Sequence, residues 1–126
     1  MKTIINTNNA PAPIGPYSQA VIAGGFVFVS GQIPINPSTG ELVLDDIKTE
    51  TKQVMENIKA ILIESGIDFS NIVKTSIFLK DMQNFAQVNE VYGTYFKDHF
   101  PARETVQVAG LPKNVNVEIT VTAVKP

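Results

Sequence analysis

Two periodicities organise the chain. Val115, Val117, Ile119, Val121 and Ala123 alternate with Asn116, Glu118, Thr120 and Thr122, the period of two that marks a strand with one buried face. Ile47, Val54, Met55, Ile58, Ile61 and Leu62 recur instead at helical spacing. Asp45 or Asp46 can cap that helix, which runs to about Ser65, and Gly66 suits the position just past its end. "SQAVIAGGFVFVSGQIP" reads as two strands joined at Gly24-Gly25, a hairpin signal. Phe26 to Ser30 is apolar on both faces and is expected to be buried on both. "NIVKTSIFLK" is a further strand. Asn84 with Gln87 has the spacing of a capping box. It would open a second helix carrying Phe85, Val88, Tyr92, Tyr95 and Phe96 on one face, stopped by Pro101. Strands near Thr105–Val108 and Val115–Val124 complete the pattern, with a short one at Ile4–Asn6. "NNAPAPIGPY" reads as an extended arm and "NPSTGEL" as a turn.

The predicted order is β-β-α-β-α-β-β, an α+β fold on a mixed sheet. The 126 residues favour one domain spanning 1–126. Two helices cover only one face of such a sheet. The other face is expected to pack against further copies of the chain.

Composition narrows the chemistry. Ten basic and twelve acidic residues leave a net charge of −2, which disfavours nucleic-acid binding. With no cysteine, disulfides and thiolate–zinc sites are excluded. One histidine, His99, is too few for a histidine-based metal site or a hydrolytic triad. It is expected at the end of the second helix, where the dipole favours an imidazolium in a structural role. The N-terminus lacks an apolar signal core, and no stretch reaches membrane-spanning length. The expectation is a soluble, cytoplasmic protein with no membrane association. Asp45 and Asp46 are better explained as caps than as an acid–base pair.

Two charged residues remain, Arg103 beside one predicted strand and Glu118 within another. Arg103 serves either a surface ion pair or a carboxylate clamp, since its planar fork matches a carboxylate with two parallel hydrogen bonds. Glu118 lies either on a solvated outer face or in a cleft where it needs a partner. Spacing alone leaves both pairs of readings open.

Several segments in order narrow the choice. "APAPIGPYSQA", "VSGQIP", "VKTSIFLKDMQNFAQVNEVY", "FPAR" and "LPKNVNVEIT" together resemble the Rid family, the YjgF-type reactive intermediate deaminases, whose older names are translation inhibitor and L-PSP endoribonuclease. The resemblance runs from about residue 3 to residue 124. It implies a chorismate-mutase-like fold with two helices on one face of the sheet, a homotrimer and clefts between subunits. The implied activity is hydrolysis of reactive enamines and imines such as 2-aminoacrylate and 2-aminocrotonate to 2-oxo acids and ammonia, with no metal or organic cofactor. By the same resemblance Arg103 grips the substrate carboxylate and Glu118 positions or activates the attacking water. Tyr17 forms an aromatic wall, and Ser30 and Gly31 a turn where backbone approaches the ligand. Asn89 is a polar residue near the cleft, and Thr105 contributes a backbone N–H.

The chain departs from the family pattern at Arg103-Glu104-Thr105, where Arg-Ser-Cys is common, and at Gly110, where arginine is frequent. Strand alternation predicts that Glu104 points away from Arg103. Two other functions are weighed against the deaminase. One is a non-catalytic trimer that senses small carboxylates and acts through a partner. The other, an endoribonuclease, has no acid–base histidine pair or basic surface behind it.

Overall fold

A computed structural model describes residues 1–126. Its elements are β1 (Thr3–Ile5), β2 (Ala20–Ala23), β3 (Phe26–Gln32), α1 (Ile47–Glu64), β4 (Ile72–Leu79), α2 (Phe85–Gly93), β5 (Ala102–Gln107) and β6 (Val117–Val124). Gly24 and Gly25, at φ +58° and +80°, make the two-residue turn that pairs β2 with β3. Asp46, not Asp45, caps α1 by accepting the Thr49 N–H at 2.8 Å. Past its end Gly66 takes φ +80°, which lets the Ile67 N–H reach back to the Leu62 carbonyl.

The strands form one sheet in the order β1-β2-β3-β6-β4-β5, antiparallel except for β4 with β5. Both helices lie on one face. Val54, Met55, Ile58, Ile61 and Leu62 of α1 pack onto Val27, Val29, Ile77, Leu79, Ile119 and Val121. Each such side chain contributes about 1.5–3 kcal/mol by leaving water. β6 sits centrally, and its alternation decides which face every neighbouring side chain takes.

The second helix differs from expectation at both ends. Asn84 is already helical, at φ −82° and ψ 0°, and its side chain caps nothing. Asp81 takes that role three residues earlier, accepting the Gln83 N–H and starting a 3₁₀ turn over Met82–Asn84. The helix ends at Gly93, well before Pro101, because Thr94 turns its hydroxyl and its N–H onto the Val91 carbonyl. Tyr95 and Phe96 therefore reach the core from the segment after the helix. His99 lies six residues beyond it at φ +50°, with its ring in solvent. The dipole fades within the last turn, so it does not act on His99.

Two strand boundaries also move. β5 starts at Ala102 because parallel pairing with β4 runs from Lys74–Ala102 to Leu79–Gln107. This brings Arg103 and Glu104 into the sheet. β6 starts at Val117, and buried Val115 belongs to the turn before it. Within one chain β3 is covered on one side only, since Phe26 and Phe28 are 42% and 48% exposed on the helix-free face.

Candidate active site

The β4–β5–β6 ladder fixes where the charged residues point. Arg103 pairs with Thr75, and Thr75 with Val121, all on the helix face. Glu118 pairs with Phe78 on the opposite face. The two positions are three residues apart along the strands and two strands apart across them, roughly 10 Å in each direction. One chain thus does not bring Arg103 and Glu118 together. It builds two separate hollows.

The first hollow, of about 350 Å³, lies between α2 and the start of β5 and is lined by Asn89, Tyr92, Gly93, Phe100, Pro101 and Arg103. Arg103 donates from Nη1 to Asn89 Oδ1 at 2.7 Å. Its guanidinium lies over the rings of Tyr92 and Phe85, at 5.2 and 5.6 Å from their centroids. The Tyr92 hydroxyl is itself fixed by Thr75 at 2.9 Å. No carboxylate of the chain pairs with Arg103. The guanidinium is therefore held by neutral partners with most of its donors free, as a clamp for an incoming anion requires. Tyr92 and Phe85, which periodicity marked as core, double as its platform. Thr105 shares the face of Arg103 two residues on but lies outside the hollow. Its hydroxyl is the one buried side-chain polar atom without a partner in the chain.

Glu104 points to the other face, as alternation requires. It accepts from the Ser76 hydroxyl and pairs with Lys74 at 2.9 Å. These partners, Ser76 foremost, hold its carboxyl below the ordinary value. Its charge is thus compensated away from Arg103.

The second hollow, of about 300 Å³, is lined by Ile14, Tyr17, Ser30, Gly31, Ile33, Pro112 and Glu118. A bulge shapes it. Between Val29–Val121 and Gln32–Ile119, β3 carries one residue more than β6, and the extra residue at Ser30-Gly31 bends the strand away beside Glu118. A Cβ built at Gly31 would fall on the Glu118 carboxylate, 2.9 Å from its Cδ. Here glycine serves close approach. Half-burial desolvates the Glu118 carboxyl and pushes its pKa up, with no cation of the chain to offset it.

The arm completes this hollow. The Gln19 side chain, buried, accepts the Thr7 N–H and donates to the Thr7, Ala10 and Pro11 carbonyls. Ser30 ties the arm to β3 by donating its hydroxyl to the Ser18 carbonyl at 2.6 Å. The Tyr17 hydroxyl accepts the Ile14 N–H at 3.2 Å, so its own proton remains available to a ligand. Gln19 and Pro112 lie within the segments "APAPIGPYSQA" and "LPKNVNVEIT", yet neither residue type announces a role, because a lone glutamine or proline has many uses. Gly31→Ala is expected to fold and to push the Glu118 carboxylate out of its place in the hollow, and a melting curve beside a titration of Glu118 by carboxyl-carbon NMR checks both.

The comparisons agree with this architecture. A family model described as Endoribonuclease L-PSP matches residues 7–125. A RutC family protein of Pyrococcus horikoshii is 55% identical over 125 residues, 99% of either chain. Among solved structures, a conserved Rid family protein of Yersinia pestis superposes with a TM-score of 0.96 at 52% identity, over 98% of this chain and 99% of that one. E. coli TdcF, solved with bound serine, does so at 0.93 and 44% identity, over 98% and 99%. The matched length, the six-stranded mixed sheet and its two one-sided helices leave one conclusion: this chain belongs to the Rid family, the L-PSP endoribonuclease family of older naming.

Proposed function

We propose that the protein is a 2-imino acid deaminase that works as a homotrimer with its clefts between subunits. The substrates are 2-iminopropanoate and 2-iminobutanoate, the tautomers of 2-aminoacrylate and 2-aminocrotonate. The observation that carries the reading is the division of the site. A preorganised guanidinium without an anion and a desolvated carboxylate without a cation stand in two half-open hollows on opposite faces of one sheet. A second copy seated on the helix-free face, where Phe26, Phe28 and Val106 are exposed, would set the Arg103 hollow of one subunit against the Glu118 hollow of the next. TdcF was solved with serine bound, and a small amino acid presents the carboxylate that this reading assigns to Arg103.

In the cleft, Arg103 fixes the substrate carboxylate. Water adds through oxygen to the imine carbon, and Glu118 takes one of its protons. That proton passes to the nitrogen to complete the neutral carbinolamine, and Glu118 then carries the hydroxyl proton to the nitrogen as the C–N bond breaks, so that the 2-oxo acid and ammonia leave. The reaction is already facile in water, so positioning and one proton relay suffice. It needs no thiol, and Thr105 in place of a cysteine does not block it. As written it also needs neither metal nor organic cofactor.

The test mixes two inactive variants. Arg103→Ala and Glu118→Gln chains, unfolded together and reassembled at equal amounts, should regain activity. In a closed ring of heterologous contacts about a quarter of the clefts take both intact residues. Recovery near that fraction supports a cleft shared between subunits. Assembly without recovery refutes it.

The bound serine of TdcF favours one other reading, a trimer that senses small carboxylates without turnover. It predicts binding of 2-oxobutyrate by the wild type and no imine hydrolysis. The endoribonuclease name finds little support here. The net charge is −2, and His99 lines a different hollow, with Asp68, Tyr95 and Asp98.

A further inference from the structure

Glu50 is a buried carboxylate that the proposed chemistry does not use. It sits in the first turn of α1, 1% exposed, with no cation in reach. Burying a charge without a counter-ion is costly, so its hydrogen bonds must secure something. Both go to one residue. Asn116 donates its backbone N–H to Oε2 at 2.7 Å and its side-chain amide to Oε1 at 2.9 Å. From the other side the Asn116 carbonyl accepts the Lys80 N–H at 3.0 Å.

Asn116 stands two residues before Glu118 and closes the turn that carries Pro112. That turn is strained, with Lys113 and Asn114 both in the left-handed region at φ +54° and +57°. Val115, between the turn and Asn116, is fully buried against Ile33 and Ile35. Pro112 and Ile33 are walls of the Glu118 hollow. A single clasp from α1 thereby fixes the strand that bears Glu118 and two walls around it.

We infer that Glu50 is a positioning residue for the active site: through its two-pronged clasp on Asn116 it sets the depth and orientation of Glu118. The inference rests on the proposed deaminase for its kinetic readout only. The clasp depends on geometry rather than on charge. A glutamine at position 50 can accept the Asn116 N–H with its oxygen and donate to Asn116 Oδ1 once that amide turns over.

The test compares Glu50→Ala, Glu50→Gln and Asn116→Ala with the wild type in the assembled protein. Two readouts are taken, the separate kcat and KM for imine hydrolysis and the titration of Glu118 by carboxyl-carbon NMR. Glu50→Ala is expected to lower kcat roughly tenfold with KM little changed, because Arg103 still holds the substrate. It should also move the Glu118 titration toward the ordinary carboxylate value as water enters the loosened hollow. Glu50→Gln should restore both, and Asn116→Ala, which keeps the backbone prong, should fall between. An assembled Glu50→Ala with unchanged kcat and unchanged Glu118 titration overturns the inference, leaving Glu50 as a staple of the fold alone. Glu50→Gln behaving like Glu50→Ala also overturns it, in favour of charge. If Glu50→Ala does not fold, Asn116→Ala decides by the same two readouts. If the wild type hydrolyses no imine, the deaminase reading fails while the Glu118 titration still decides this one.

Discussion

Replacing Arg103 by alanine is expected to lower kcat/KM for imine hydrolysis roughly a hundredfold, about 3 kcal/mol, the worth of a pair of hydrogen bonds to a charged group. The loss falls mainly on substrate capture, because the clamp holds a part of the substrate that does not react. Arg103→Lys should recover only part, since a lysine is a point charge and cannot offer the fork. Stability changes little. The half-buried side chain lies over Phe85 and Tyr92 and bonds Asn89, and a cation–ring contact short of full desolvation is worth about 1 kcal/mol. The assay generates the imine in place with an amino acid dehydratase and traps what remains with semicarbazide, on protein whose assembly has been checked. Wild-type turnover with an equally active Arg103→Ala would remove the clamp from the mechanism.

Glu118→Gln has the second large effect, in opposite directions on activity and stability. Turnover should fall roughly a hundredfold or more, the usual weight of one general acid–base group, while 2-oxobutyrate still binds through Arg103. On the proposed mechanism the wild-type rate should show an acid limb shifted upward from the ordinary carboxylate value, because Glu118 must be ionised to take the proton from water and desolvation raises its pKa. That limb should be missing from the variant. The same raised pKa sets the stability sign. A group whose folded pKa exceeds its unfolded one favours the fold below the unfolded value and loses that contribution as pH rises through the folded value. At neutral pH the ionised Glu118 therefore weighs against folding. Glu118→Gln should melt at the wild-type temperature or above it at pH 7, with the gap narrowing on acidification through the carboxylate range. A variant that melts lower at pH 7 would mean that Glu118 is a structural group with a partner. Such a trade of stability for function is common at active sites.

The elements with strong periodicity were legible. The α1 stripe, the Gly24-Gly25 hairpin and the β6 alternation all stand as the residues indicate. Boundaries set by pairing or by competing caps were not. β5 is a strand because β4 lies beside it, and nothing within "ARETVQ" announces a parallel edge. Asp81 starts the 3₁₀ turn that leads into the second helix, and Thr94 stops that helix, because local side chains override the Asn84–Gln87 spacing and the distant Pro101. The resemblance named Arg103, Asn89, Tyr17, Ser30, Gly31 and Glu118, which line the two hollows, yet it gave no grounds for Gln19 as the anchor of the arm or for the clasp of Glu50 on Asn116. Both join residues distant in sequence, Glu50 and Asn116 by 66 positions.

By itself the sequence determined the α+β class, the core face of each long element, the family motifs and the separation of Glu104 from Arg103, because period, turn chemistry and alternation are local. The tertiary structure alone decided that Arg103 and Glu118 lie on opposite faces of one sheet, two strands apart. Strand order and register are set by pairing between segments far apart along the chain, and no local pattern encodes which hollow a side chain enters.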